Sequence, residues 1–336
     1  MWAKLVSQLK KLNRQKALIL MYHQVNQRKS DPWDLAVHPD RFETQLNFLK
    51  NNFEVLPMDE LVTKINSRTV GKNSIAVTFD DGFHDNYQNA VPLLDWYKVP
   101  ATFYFPTNPL KSNRQFWWEE LENIILHSQT LPDSLFINIA GEDFFFRLKL
   151  HRNLTSRSMQ DISGWRYGTP FTNERIDLYL KLWKKIQPLR HSQQEEIMRE
   201  LRFWSSFHSA PPTTTRIMNE HQLQNISNND LFSIGAHTVN HSMLGAQSSA
   251  DQYYEISQSK QTLEKLLRKK ISGFAYPYGN FTDVTRKLVD QAGYRYAVST
   301  NEDAVIDGID LFSLPRIQVK NWCVSEFAFN LKTRLQ

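Results

Sequence analysis

The chain has 336 residues, enough for one large core or for a core interrupted by an insertion. Its 41% hydrophobic and 22% charged residues match ordinary globular composition, which excludes a largely disordered chain. A formal charge of +5 suits a glycan, an acidic surface or a membrane, but lysine and arginine are scattered rather than gathered in one tract, which argues against nucleic acid.

Residues 1–14 set Trp2, Leu5, Val6, Leu9 and Leu12 on one helical face, with Lys4, Lys10, Lys11 and Arg14 elsewhere. That pattern suits either a helix packed across a domain or a peripheral contact with a membrane surface. The apolar run of a secretory signal is missing there, and no other stretch approaches the roughly 20 apolar residues of a membrane span, so a cytoplasmic protein is expected. Short apolar runs at 17–22, 74–79, 101–105, 232–235, 273–276 and 296–299 predict buried strands. Helical patterns at 39–51, 58–66, 86–97, 250–269 and 282–292 lie between them, with Asp85 and Asp283 placed as first-turn or capping residues. The alternation implies an α/β fold with a parallel sheet, open or closed into a barrel. It occupies 15–109 and 222–320. Residues 110–221 break the rhythm: they are rich in aromatics and helical patterns, with strand character only at 135–139, and read as a large, mainly helical insertion. A C-terminal helix is expected in 321–336. The single cysteine, Cys323, excludes an internal disulfide or a cysteine-based metal site, and reads as packing.

Two polar motifs follow predicted strands, where α/β enzymes place their chemistry. In Thr78-Phe79-Asp80-Asp81-Gly82, two successive carboxylates at the end of an apolar strand need a cation or a proton if both are buried. The alternative is an exposed turn, for which Asp-Asp-Gly is equally suited. In His237-Thr238-Val239-Asn240-His241, a helical turn would put both imidazoles on one face, within reach of one ion; a pair on a solvated helix is the alternative. One aspartate plus two histidines makes three protein ligands and leaves a position open, as catalytic metal sites do. A third segment, Phe274-Ala275-Tyr276-Pro277-Tyr278-Gly279, offers backbone N–H groups for an oxyanion and aromatic rings such as Tyr276 for a sugar face, or else a structural turn. Within the insertion, Phe116-Trp117-Trp118-Glu119-Glu120 begins an aromatic series continued by Trp165, Tyr167, Trp183, Phe203 and Trp204. Most of these read as core, with Trp117 and Trp118 the better candidates for substrate contact.

Taken together, the Thr-Phe-Asp-Asp-Gly, His-Thr-x-x-His and Pro-Tyr-Gly segments resemble the polysaccharide deacetylase family, also called the NodB-homology or carbohydrate esterase 4 group. The resemblance covers roughly residues 15–109 and 222–320. It implies a distorted (β/α) barrel, usually of seven strands, and a divalent ion, most often zinc. It further implies Asp80 as general base, Asp81, His237 and His241 as metal ligands, and the backbone N–H of Tyr278 in the oxyanion hole. Two departures stand out. No arginine precedes Pro277-Tyr278 within 271–276, and no Leu-x-His motif follows, because His241 is the last histidine. The proton donor is then best sought in His23, in Tyr22-His23, a pair also found in the branch resembling biofilm poly-N-acetylglucosamine deacetylases; the alternative is a structural histidine at a strand end. Arg316 could replace the missing guanidinium by holding Asp80, or lie on the surface of a final strand.

The expected protein is therefore a metal-dependent hydrolase that removes an acyl group, foremost N-acetyl, from an amino sugar in a glycan. Two alternatives stand beside it: a deacylase or deformylase of a lipid-linked sugar at the membrane face, and a catalytically silent glycan-binding barrel.

Overall fold

The computed structural model describes residues 15–71, 73–112, 115–207 and 215–335, so the amphipathic stretch at 1–14 lies outside the described residues. Strands β1 (Lys16–Tyr22), β2 (Glu54–Val55), β3 (Ser74–Phe79) and β4 (Ala101–Phe105) precede a hairpin of β5 (Ser134–Ile139) and β6 (Glu142–Arg147). Then come β7 (Phe232–Ala236), β8 (Gly273–Ala275), β9 (Tyr296–Val298), β10 (Val305–Ile306) and β11 (Ile317–Gln318). The main sheet runs β10-β1-β3-β4-β7-β8-β9, with β11 also on β1 and β2 on β3. Among the described strands of this sheet, only the β1–β10 pair is antiparallel. At the far edge a parallel bridge joins Val298 to Leu314, just ahead of β11, which pairs Ile317 with Leu20 of β1. The sheet thus curls most of the way round as a distorted seven-stranded (β/α) barrel, the architecture expected from the sequence.

Both faces of the central strands are covered, which is why they read as unbroken apolar runs. Leu18, Leu20 and Tyr22 of β1 face the layer of helices, packing with Phe42, Leu46 and Leu49. Ala17 and Ile19 face inward with Ala76, Tyr104, Ala275 and Val298, where Met58, Leu61 and Ile65 of the second helix plug one end. Helices Pro39–Asn52, Met58–Ser67, Ser249–Leu267 and Asp283–Gln291 form close to the expected bounds. The helix expected at 86–97 opens instead as a π-turn over Asn86–Ala90 before Val91–Tyr97. Asp85 does not cap it. Its buried carboxylate accepts from the Val25 N–H at 3.0 Å and from the amides of Asn26 and Asn86, and burial pushes it up to about 7 against those hydrogen bonds.

In the inserted segment, helices Trp117–His127, Ser156–Gly164, Glu174–Ile186 and His191–Ser205 pack with the β5–β6 hairpin. Leu121, Ile125, Leu178, Leu182 and Met198 belong to a core separate from that of the barrel. The hairpin turns at Ala140 (φ 54°) and Gly141 (φ 92°), and β6 went unread in the sequence because Glu142-Asp-Phe-Phe-Phe-Arg147 does not alternate cleanly. The last helix, Val324–Leu335, packs Phe327 on Phe48 of the first. Among the described residues no helix is long and apolar enough to cross a membrane.

Candidate active site

The loops that follow the parallel strands converge on one cavity. His23 follows β1, Asp80 and Asp81 follow β3, His237 and His241 follow β7, Tyr278 follows β8 and Thr300 follows β9; all line a space of about 300 Å³. At the end of β3 the Asp80 N–H still donates to the Tyr22 carbonyl at 3.0 Å. Asp81 (φ 71°) and Gly82 (φ 70°) then turn the chain in the left-handed region. A non-glycine residue held there is strained and needs support from its surroundings. Gly82 has no alternative, since a Cβ would lie 2.3 Å from the Phe105 ring. Gly82→Ala is therefore expected to cost about 1–3 kcal/mol, measured as a lower midpoint in denaturant; an unchanged midpoint would show that the turn relaxes freely.

The 237–241 segment is not the helical turn expected from its spacing. Thr238 (φ 68°) and His241 (φ 58°) bend it into an irregular turn held from two sides. Thr107 and Asn108 donate their N–H groups to the carbonyls of Thr238 and Val239, at 3.1 and 2.8 Å. The Glu255 carboxylate accepts from the N–H groups of Val239 and Asn240, both at 2.9 Å. This clamp, from a helix 15–16 residues further on, had no signal in the motif itself.

The turn points both imidazoles at Asp81. Its Oδ1 lies 3.4 Å from His237 Nε2 and 3.1 Å from His241 Nε2. One donor atom from each of the three buried residues falls within 4.8 Å of the others. Among the described residues, buried Asp81 Oδ1 has no hydrogen-bond partner. His237 Nδ1 is 2.8 Å from the Ala275 carbonyl, which can only accept, so the proton sits on Nδ1 and the Nε2 lone pair faces Asp81. For His241, burial prevails over Asp81 and lowers the imidazole, favouring the neutral form that ligates. An unpartnered carboxylate oxygen beside neutral imidazole nitrogens fits a divalent cation such as zinc.

Beside this cluster, Arg316 is wholly buried and clamps Asp80 with two hydrogen bonds, 2.8 Å to Oδ1 and 2.6 Å to Oδ2. Its Nε donates to the Ser299 carbonyl at 2.9 Å, and its guanidinium lies over the Tyr104 ring inside the barrel. Burial pushes the Asp80 carboxyl up, but the Arg316 charge and hydrogen bonds outweigh it and hold Asp80 below the ordinary range. The surface alternative for Arg316 does not hold. His23 lines the same cavity; burial lowers its imidazole, opposed by Asp81 and Asp80.

Two expected substrate contacts are not brought to the cavity. Strand alternation sends Tyr276 outward, where it stacks on Phe281 (4.5 Å) and donates its hydroxyl to the Phe312 carbonyl at 2.9 Å. Trp117 turns into the core of the inserted segment, because neighbouring helix positions point in different directions, and Trp118 alone of the two reaches the wall. Conversely, Trp33, Leu35, Trp183, Gln187, Thr300 and Gln318 line the cavity without having been singled out for it. For Trp33 the available signal was a large aromatic inside the polar turn Asp31-Pro32-Trp33-Asp34.

Residues 67–132 and 206–297 match the family model described as polysaccharide deacetylase. The chain is 21% identical over 324 residues to a Staphylococcus aureus poly-β-1,6-N-acetyl-D-glucosamine N-deacetylase, covering 93% of this chain and 81% of that one. A Streptococcus pyogenes deacetylase solved in complex with acetate shares the fold at TM-score 0.56 and 21% identity, covering 96% of this chain and 100% of that chain. A de-N-acetylase from Aggregatibacter actinomycetemcomitans does so at TM-score 0.55 and 14% identity, covering 94% and 99%.

Proposed function

The chain belongs to the polysaccharide deacetylase family, hydrolases of non-peptide carbon–nitrogen bonds, and we propose that it removes an N-acetyl group from an amino sugar of a glycan with a divalent cation at Asp81, His237 and His241. The observation that carries this reading is the buried, unpartnered Asp81 Oδ1 facing two imidazoles beside an arginine-clamped Asp80. Zinc suits the donor set of two nitrogens and one oxygen. When bound, such an ion polarises the acyl carbonyl and acidifies the attacking water.

The protein's own groups divide the remaining work. Asp80, ionised and fixed in orientation by Arg316, accepts the proton of the attacking water. A carboxylate held this acidic takes a proton only from an acidified water, which ties Asp80 to the three ligands next to it. The Tyr278 N–H serves the oxyanion: Tyr278 holds a left-handed φ of 58° in the loop after β8, and its ring lies 4.6 Å from that of His241. His23 protonates the amine nitrogen as the carbon–nitrogen bond breaks, and burial makes its imidazolium a stronger donor than in water. His23→Ala should lower turnover by roughly 10²–10⁴-fold with KM little changed. A negligible loss in steady-state amine release would leave His23 a structural residue.

The proposal is tested by mass spectrometry of N-acetylglucosamine oligomers, β-1,4- and β-1,6-linked, incubated with zinc-loaded protein. Loss of acetyl groups, absent with Asp80→Asn, is the expected result. Binding of the oligomers with no acetyl loss would make the protein a glycan-binding barrel instead.

A further inference from the structure

The cavity above Asp81 and its histidines, at about 300 Å³, sits at the bottom of the range usual for small-molecule sites. Its floor is nearly sealed, with Asp80, Asp81, His237 and His241 only 2–5% exposed. Met21, Thr300 and Gln318 of the barrel form one side. Trp33 and Leu35, from the loop between β1 and the first helix, form a second; Trp118, Trp183 and Gln187, from the inserted segment, form a third.

The last two walls are joined. The Trp33 ring lies 4.3 Å from that of Trp183 and 4.6 Å from that of Tyr167. Its indole N–H donates to the Tyr179 hydroxyl at 3.0 Å, and the Tyr167 N–H donates to the Pro32 carbonyl at 2.7 Å. Arg166 pairs with Asp34 at 2.8 Å. Nearby, Arg28 bridges Glu119 and Glu122 of the inserted helix at 2.8 and 2.9 Å. From the barrel side, Gln318 donates to the carbonyls of Trp33 and Asp34, at 3.0 and 3.1 Å, and Lys320 pairs with Asp34 at 3.0 Å. The Trp33 loop is therefore fastened to both the barrel and the insertion. Across the gap between them runs one continuous aromatic wall.

A glycan threaded through the site by an interior unit would have to leave on two sides. On the Trp33–Trp183 side it meets packed rings rather than a channel, with Trp33 held between Trp183 and Tyr167. We propose that the site takes a chain end: a terminal N-acylated amino-sugar unit seated against Trp33 and Trp183, with the rest of the glycan leading out one way only. This rests on the deacylase reading above and names its substrate class. The bond hydrolysed is the amide of that terminal unit alone, releasing acetate and leaving a free amine there.

The test maps free amines by tandem mass spectrometry on end-labelled N-acetylglucosamine hexamers, β-1,4- and β-1,6-linked, treated with the zinc-loaded protein. The expected map has the amine on a single terminal unit, with the dimer turned over about as well as the hexamer. Trp183→Ala or Trp33→Ala should breach the wall, admit interior units and raise the KM for the dimer roughly 3- to 10-fold. Interior amines from the wild-type protein, with rates rising with chain length, would overturn end selection and leave the deacylase reading standing. No amine from any oligomer would overturn both. The wild-type map decides even if either variant fails to fold.

Discussion

Replacing Asp80 by Asn should cut turnover by roughly 10²–10⁴-fold, the usual contribution of a general base, while the cation still binds. The amide keeps the shape of the carboxylate but can neither take a proton nor neutralise Arg316. Because Arg316 is fully buried and both bonds of the clamp end on Asp80, the substitution also leaves a buried guanidinium uncompensated, at a cost of about 3–5 kcal/mol. Activity must therefore be read well below the unfolding midpoint. Arg316→Met separates the two effects. With the guanidinium gone, burial pushes the Asp80 carboxyl up without its main opposing charge, so the base is protonated over a wider pH range. Its residual activity should recover in part as pH rises, whereas that of Asp80→Asn should stay flat. In the wild type, folding depresses the Asp80 carboxyl, so the clamp stabilises above the ordinary carboxylate pKa and loses its effect as pH falls through the folded value. Both variants should accordingly be destabilised at neutral pH and approach the wild type in strong acid. Near-normal turnover in Asp80→Asn would remove Asp80 from the chemistry.

Chelation of divalent ions should abolish acyl release, and added zinc should restore it. Among the described residues Asp81 Oδ1 has no hydrogen-bond partner, and burial without one is costly unless something else compensates the charge. An ion that binds only the folded form stabilises it by mass action, by roughly 2.7 kcal/mol when free ion is 100-fold above its dissociation constant. Zinc should thus raise the Tm of the stripped wild type and leave that of Asp81→Ala or His237→Ala unmoved. Equal Tm with and without zinc, together with activity that survives chelation, would contradict the ligand assignment.

How far the sequence could be read follows from the range of the interactions involved. The strands at 17–22 and 74–79 announced themselves because both of their faces are buried, and the motifs at 80–82 and 237–241 because chemistry sits immediately after a strand. The second motif differs in shape from what its spacing predicts. Four-residue spacing suggests a helix, but left-handed Thr238 and His241, clamped by Glu255, reach the same convergence by another path. Arg316 stayed ambiguous because its partner lies 236 positions away, and only barrel closure brings β11 beside β1. The aromatic residues divided the same way. Tyr276 belongs to the core because Ala275 takes the inward position of β8, while Trp33 and Trp183 become cavity wall through a contact between two loops distant in sequence. Composition supplies the rings; topology decides which of them face the cavity.

Anomalous diffraction at the zinc edge, from crystals of protein stripped and reloaded with zinc, puts the convergence of Asp81, His237 and His241 to its hardest trial. A single strong peak is predicted within bonding distance, about 2.0–2.2 Å, of Asp81 Oδ1 and of Nε2 of both histidines, with Asp80 still clamped by Arg316 alongside. No peak there, or a peak held by other residues, would contradict the assignment and the chemistry built on it.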